Sequence, residues 1–412
     1  MNTNKPGYKH TSLGWIPEEW EVMEFGELFD FKNGINASKE SYGQGVKFIN
    51  VMEVIYNNSI TANSIPGSVV ITDKQLNDYS VSRGDVLFNR TSETTEEIGL
   101  TSVYLDDEPV VFGGFVIRGV PKNDLIQNDF KRYCFRSILV RQQIIKGGQG
   151  AVRSNIGQGD LEKVRIPLPS IPEQTSIANL LNTWEKAITT TTALIAQKEQ
   201  RKKWLMQQLL RGKKRLKGFD GKVESHVLQQ YITEVSDRNK NNAVSNVLSV
   251  TNTRGFINQA DQFDRSVASE DSSNYKIVRK GQFAYNPSRV NVGSLDLLRT
   301  FDSGILSPMY VVFETDRSKL LPEFLYYHLK SYWFTRNIPM FVQGSVRDSL
   351  SFDGLSGMKF FIPSIQEQVA IVKILHVADE EIQILKQHME QLKVQKKGLM
   401  QVLLTGRKRL KF

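Results

Sequence analysis

Two stretches of the chain place apolar residues at alternating intervals of four and three. The first runs Ile177, Leu181, Trp184, Ile188, Thr191, Ile195, Lys198, Lys202, Leu205, Leu209. The second runs Ile371, Leu375, Ala378, Ile382, Leu385, Met389, Leu392, Lys396, Leu399, Leu403. A mean interval of 3.5 residues is the heptad of helices that pack along one seam, so each stretch predicts a long helix. Ser170 with Glu173, and Ser364 with Glu367, have the capping-box spacing at the start, and Gly212 and Gly406 supply the stop. At about 1.5 Å per residue, some 40 residues make a rod of roughly 60 Å. Two amphipathic helices lying separately on their own domains would carry such stripes too; the seam's length favours the helices packing on each other. Lys198, Lys202 and Lys396 interrupt it, as polar residues that fix register or meet another partner.

The two stretches are one sequence repeated. Shifted by 194 positions, Pro169–Lys217 falls on Pro363–Lys411 without a gap, and 21 of the 49 pairs are identical. The interval is that of a duplicated domain rather than a solenoid repeat. Outside the helices the patterns are β-rich and more diverged. Val86–Asn89 after Gly84 matches Phe283–Asn286 after Gly281, and Gly150–Ile156 aligns with Gly344–Leu350. Val46–Ile55 reads as strand, Phe130–Ile145 as helix, and residues 1–14 as a loose leader. Two helices that keep their residues perform one task twice; two scaffolds with different loops bind different things.

Charge follows the repeat. Of the net +9, residues 170–219 hold +7 and residues 364–412 hold +4, leaving −2 on the rest. Helix ends favour cations, and the excess suits a polyanion or an acidic protein. One cysteine, Cys134, excludes an intramolecular disulfide, and the five histidines lack zinc spacing. No membrane span and no signal-peptide core is present, so the cytoplasm is the expected compartment. There is no Walker A loop, no nucleophile elbow, and only Asn286-Pro-Ser-Arg289 where a DNA methyltransferase carries Asn/Asp-Pro-Pro-aromatic. The competing readings are a non-catalytic DNA-recognition subunit, a self-contained DNA-modifying enzyme, and a coiled-coil adaptor without a DNA role.

Pro-x-x-x-Glu-Gln-x-x-Ile (Pro169–Ile177, Pro363–Ile371) opens each helix and Leu-Met-Gln-x-Leu-Leu-x-Gly (Leu205–Gly212, Leu399–Gly406) ends it. With Gly84-Asp-Val-Leu-Phe88, these motifs resemble the specificity subunits of type I restriction–modification systems over nearly the whole chain. The resemblance implies an α+β fold: two strand-rich target-recognition domains separated by two long helices, packed as an antiparallel coiled coil with pseudo-twofold symmetry. The expected boundaries are 15–168 for the first domain, 169–212 for the central helix, 213–225 for a basic linker, 226–362 for the second domain and 363–406 for the C-terminal helix. It implies no catalysis and no cofactor in this chain. The partners implied are double-stranded DNA, two modification subunits that carry S-adenosylmethionine and methylate adenine, and restriction (motor-nuclease) subunits. Side chains able to pair with base edges or phosphates make the candidate DNA contacts Asn89, Arg90, Thr91, Ser92, Gln149, Arg153, Ser154 and Asn155 in the first domain. In the second they are Asn286, Ser288, Arg289, Asn291, Gln343, Arg347 and Asp348. The recurrence of Arg153 as Arg347 points that pair to phosphate. The basic helix ends Lys213, Lys214, Arg215 and Arg407, Lys408, Arg409 are further candidates for DNA or a partner subunit.

Overall fold

The structure, a computed structural model, describes residues 6–148, 154–259, 272–342 and 349–410. Two helices of 39 residues, α1 (Ile171–Leu209) and α2 (Ile365–Leu403), occupy the two predicted stretches. The described residues form two compact units that do not follow chain order. One takes Met1–Thr191 with His388–Phe412, the other Thr192–Gln387, so each unit holds part of both long helices.

The first unit is built on a sheet of β1 (Phe29–Asn33), β2 (Ser59–Ile60), β3 (Val86–Asn89), β4 (Thr101–Tyr104) and β5 (Val116–Pro121), in the order β1-β5-β3-β4-β2. The β5 pairings with β1 and β3 and the β3–β4 pairing are antiparallel; β4 and β2 run parallel. All four residues of β3 are buried, as a short continuous apolar run implies for a strand covered on both faces. Val86 and Phe88 face the cluster of Phe25, Phe29 and Phe135, and Leu87 faces Ile49, Ile60 and Phe112.

The second unit repeats this frame with β6 (Ile232–Val235), β7 (Phe283–Tyr285), β8 (Leu295–Leu297) and β9 (Val311–Thr315), in the order β6-β9-β7-β8, all antiparallel. That is the order β1-β5-β3-β4 without the fifth strand. Phe283 lies opposite Phe313 in register, and their rings stack 4.9 Å apart.

Within each unit the segments of α1 and α2 run antiparallel. In the first, Ile177, Ala178 and Leu181 share a core with Leu403 and Leu404, and Glu185 pairs with Lys396. In the second, Leu209 and Leu210 share a core with Ile371 and Leu375, and Lys202 pairs with Asp379. Of the predicted seam, Ile177, Leu181, Ile195, Leu209, Ile371, Leu375, Ile382, Leu392 and Leu403 are buried; Trp184, Ile188, Leu205, Leu385, Met389 and Leu399 are half-buried. Both helices stop at a left-handed glycine, Gly212 (φ +63°) and Gly406 (φ +67°). There Gly212 N donates to Leu209 O and Gly406 N to Leu403 O, while Lys214 N to Gln208 O and Lys408 N to Val402 O satisfy further carbonyls that the helix ends leave open.

Three local expectations are revised. The stretch predicted as a loose leader holds a hairpin of Tyr8–Thr11 and Gly14–Pro17, tied down where Tyr8 Oη donates to Gly406 O. Val46–Ile55 splits, because Asn50 caps a helix at Val51–Tyr56. Phe130–Ile145 breaks into two helices at Ser137, which caps the second.

Candidate nucleic-acid interface

In the first unit three chain segments meet beyond the end of β3. Asn89 is fully buried; its backbone N donates to Leu100 O and its Nδ2 to Glu97 O, closing the loop of residues 90–100. Ser92, also buried, donates from Oγ to Glu97 and accepts from Thr94 N. Thr91–Ser92 pairs antiparallel with Ser154–Asn155, and Ile156 N donates to Arg90 O. Arg90 in turn donates from its backbone to Phe115 O and from Nη1 to Gly114 O.

Asn89, Ser92 and Ser154 are thus placed inside as loop-holding groups rather than presented to a ligand. Arg90 and Thr91 are half-buried and Asn155 is exposed, with Thr91 Oγ1 donating to Asn155 Oδ1 at 2.7 Å. Phe115, 56% exposed, stands beside Arg90; it was not among the DNA contacts expected from sequence. The loop's own acids, Glu93, Glu96 and Glu97, disfavour phosphate here, while a carboxylate can accept from a cytosine amine.

The second unit repeats the backbone ties with other side chains. Asn286 N donates to Ser294 O, as Asn89 N does to Leu100 O, and Leu350 N donates to Pro287 O, as Ile156 N does to Arg90 O. Asn286 Oδ1 caps the short 3-10 helix Pro287–Val292 by accepting from Ser288 N, and Ser288, Arg289 and Asn291 on that helix are exposed. Gln149, Arg153, Gln343, Arg347 and Asp348 lie outside the described residues.

The helix motif has a role that its sequence spacing concealed. The Glu173 and Glu367 side chains are each 1% exposed, and each is held by an arginine after the opposite helix in the same unit. Arg409 grips Glu173 through Nε and Nη2, with Trp20 Nε1 donating to the same carboxylate at 2.9 Å. Arg215 grips Glu367 through Nε at 2.7 Å and Nη2 at 2.6 Å, and the bond to Glu367 raises its pKa. The partner glutamines clamp the domains: Gln174 binds Gln127 N and Leu125 O, and Gln368 binds Leu321 N and Lys319 O. Arg215 and Arg409, expected as ligand contacts, are therefore engaged internally. Among the described residues no helix is long and apolar enough to cross a membrane.

The family described as Type I restriction modification DNA specificity domain matches residues 17–200 and 298–394. The chain belongs to this family. It is a type I restriction–modification specificity subunit, a targeting subunit rather than a catalytic one. It is 23% identical to the Type I restriction enzyme MjaVIII specificity subunit of Methanocaldococcus jannaschii, over 96% of this chain and 94% of that one. It is also 23% identical to the Type I restriction enzyme EcoKI specificity subunit of Escherichia coli, over 88% of this chain and 82% of that one. Its fold is similar to that of the S subunit of a type I restriction-modification system from M. genitalium, with a TM-score of 0.55 and 16% identity over 93% of this chain and 96% of that one. In this specificity subunit the duplicated sheet and helix motifs are the common frame, and the loops beyond β3 and β7 are what differs.

Proposed function

We propose that each recognition domain reads one half of a bipartite, asymmetric DNA target, and that the two long helices set the gap between the halves. The observation that carries this is a repeated frame with unlike tips. Equivalent backbone bonds at Asn89 and Asn286, and at Arg90 and Pro287, present Thr91, Asn155 and Phe115 in one unit and Ser288, Arg289 and Asn291 in the other. Two readers on two scaffolds read two sequences, and their separation fixes the half-site spacing. A continuous 39-residue helix spans about 58 Å, more than one turn of DNA, about 34 Å. The near-neutral domains leave much of the phosphate attraction to partners. Those partners are two modification subunits, which supply S-adenosylmethionine and methylate adenine N6, joined by restriction subunits for cleavage, in the cytoplasm. This chain holds no cofactor itself.

The test is co-expression with the neighbouring modification subunit in a methylation-free host, followed by mapping of methylated bases. A split motif with a fixed gap and one methyladenine per half on opposite strands is expected. Exchange of residues 15–168 for those of another specificity subunit changes one half only. A complex that forms without methylating DNA makes the chain an adaptor and overturns the reading.

A further inference from the structure

An open cleft of about 350 Å³ lies in the second unit, beside the C-terminal end of α1. Trp333, Phe360 and Phe361 contribute apolar surface to it, with Leu210 of the helix. Arg211, Lys213, Arg336 and Lys359 also line it, all four exposed, and among the described residues no acidic one does. None of the four takes part in an ion pair among the described residues. The helix dipole accounts for cations at Arg211 and Lys213; it does not account for Arg336 and Lys359, which sit on other elements.

The duplication supplies a comparison inside the same molecule. In the first unit the matching helix end is covered by the N-terminal hairpin. Tyr8 Oη donates to Gly406 O, Ile16 is buried with Leu403 and Leu404, and Arg165, the counterpart of Lys359, donates from Nη1 to Ser12 Oγ and pairs with Glu24. Among the described residues no such hairpin follows α1 in the second unit, where Arg215 draws the linker in by donating to Gly221 O.

We infer that this cleft receives a segment of a modification subunit that carries an aromatic or aliphatic side chain flanked by carboxylates, in the place the hairpin takes in the first unit. The apolar side chain fills the aromatic floor and the carboxylates meet the four cations, a pairing that sets specificity and salt dependence. The inference rests on the proposed docking of modification subunits.

The experiment uses the full chain co-purified with modification subunits. Arg336→Glu with Lys359→Glu is expected to weaken capture of the modification subunit by roughly tenfold, more at low salt than at high. The unfolding midpoint should stay put because both side chains are exposed. Arg211→Gln with Lys213→Gln should weaken capture less. A photo-crosslinker at Tyr332, 68% exposed on the rim, should attach to an acidic segment of the modification subunit. Capture within twofold of the unmodified chain overturns the cleft alone. Crosslinks confined to residues 8–17 of a second copy, or to DNA, overturn it as well. An unmodified chain that captures no modification subunit overturns both the cleft and the docking on which it rests.

Discussion

His328 and Cys134 stand 194 positions apart, at the same place in the two copies, and both are buried. His328 lies between the Phe324 and Phe360 rings, with centroids 4.9 and 5.0 Å away. Burial drives its pKa down to about 3, opposed weakly by the Phe361 backbone. The imidazole is neutral in the fold and charges readily once the chain unfolds, near pH 6.5. The unfolded state therefore binds the extra proton, so stability is intact above about pH 6.5 and declines as pH falls toward 3. The slope is about 1.4 kcal/mol per pH unit, or about 2 kcal/mol by pH 5. His328→Leu should flatten this slope in urea-unfolding midpoints taken at pH 7 and pH 5; an unchanged slope would place the proton elsewhere. The first unit avoids the cost with a thiol whose pKa burial raises further. The helix-opening Glu-Gln was half legible in sequence. Its recurrence marked it as important, but a capping box is a local spacing, whereas Arg409 lies 236 residues from Glu173.

At the scale of elements, the seam lysines define what the helices require of each other. Lys202 pairs with Asp379, and the equivalent Lys396 pairs with Glu185. Lys198 pairs with Glu381 and Lys386 with Glu199. Burial, with Arg132 and Arg136 nearby, lowers Lys396 to about 8, leaving its ammonium little reserve at neutral pH. Half-buried pairs across an apolar seam penalise other registers more than they add stability. Lys202→Glu should lower the stability of the second unit by roughly 2–4 kcal/mol, and adding Asp379→Lys should return at least half of the loss. A double-mutant cycle in thermal unfolding reads this as a coupling of at least about 1 kcal/mol. No recovery in the exchanged pair would make the contact incidental. The helices and their glycine stops were legible because periodicity, caps and stops are local signals. The hairpin at Tyr8–Pro17 was not, since what orders it is Gly406, 398 residues from Tyr8.

For the whole molecule, the decisive fact is that the first unit closes with the far end of the chain. Residues 388–412 complete the N-terminal domain's core: Leu403 and Leu404 cover Ile16, Trp20, Ile177 and Leu181, and Arg409 neutralises the buried Glu173. Removing them leaves an uncovered apolar face and an unpaired buried carboxylate, each costing several kcal/mol by itself, against a total stability of about 5–15 kcal/mol for a typical domain. A chain ending at Gln387 should therefore lose the N-terminal unit while keeping the second, whose residues 192–387 are all present. Limited proteolysis should cut within residues 8–168 and spare 226–362, and the fluorescence of Trp20 should shift to the red. Damage that instead followed chain order, with the C-terminal domain cut and the N-terminal one protected, would refute this division of the fold. On the proposed reading of a bipartite target, the loss in the methylation assay would fall on the half read by the N-terminal domain, although every residue removed lies at the opposite end of the sequence.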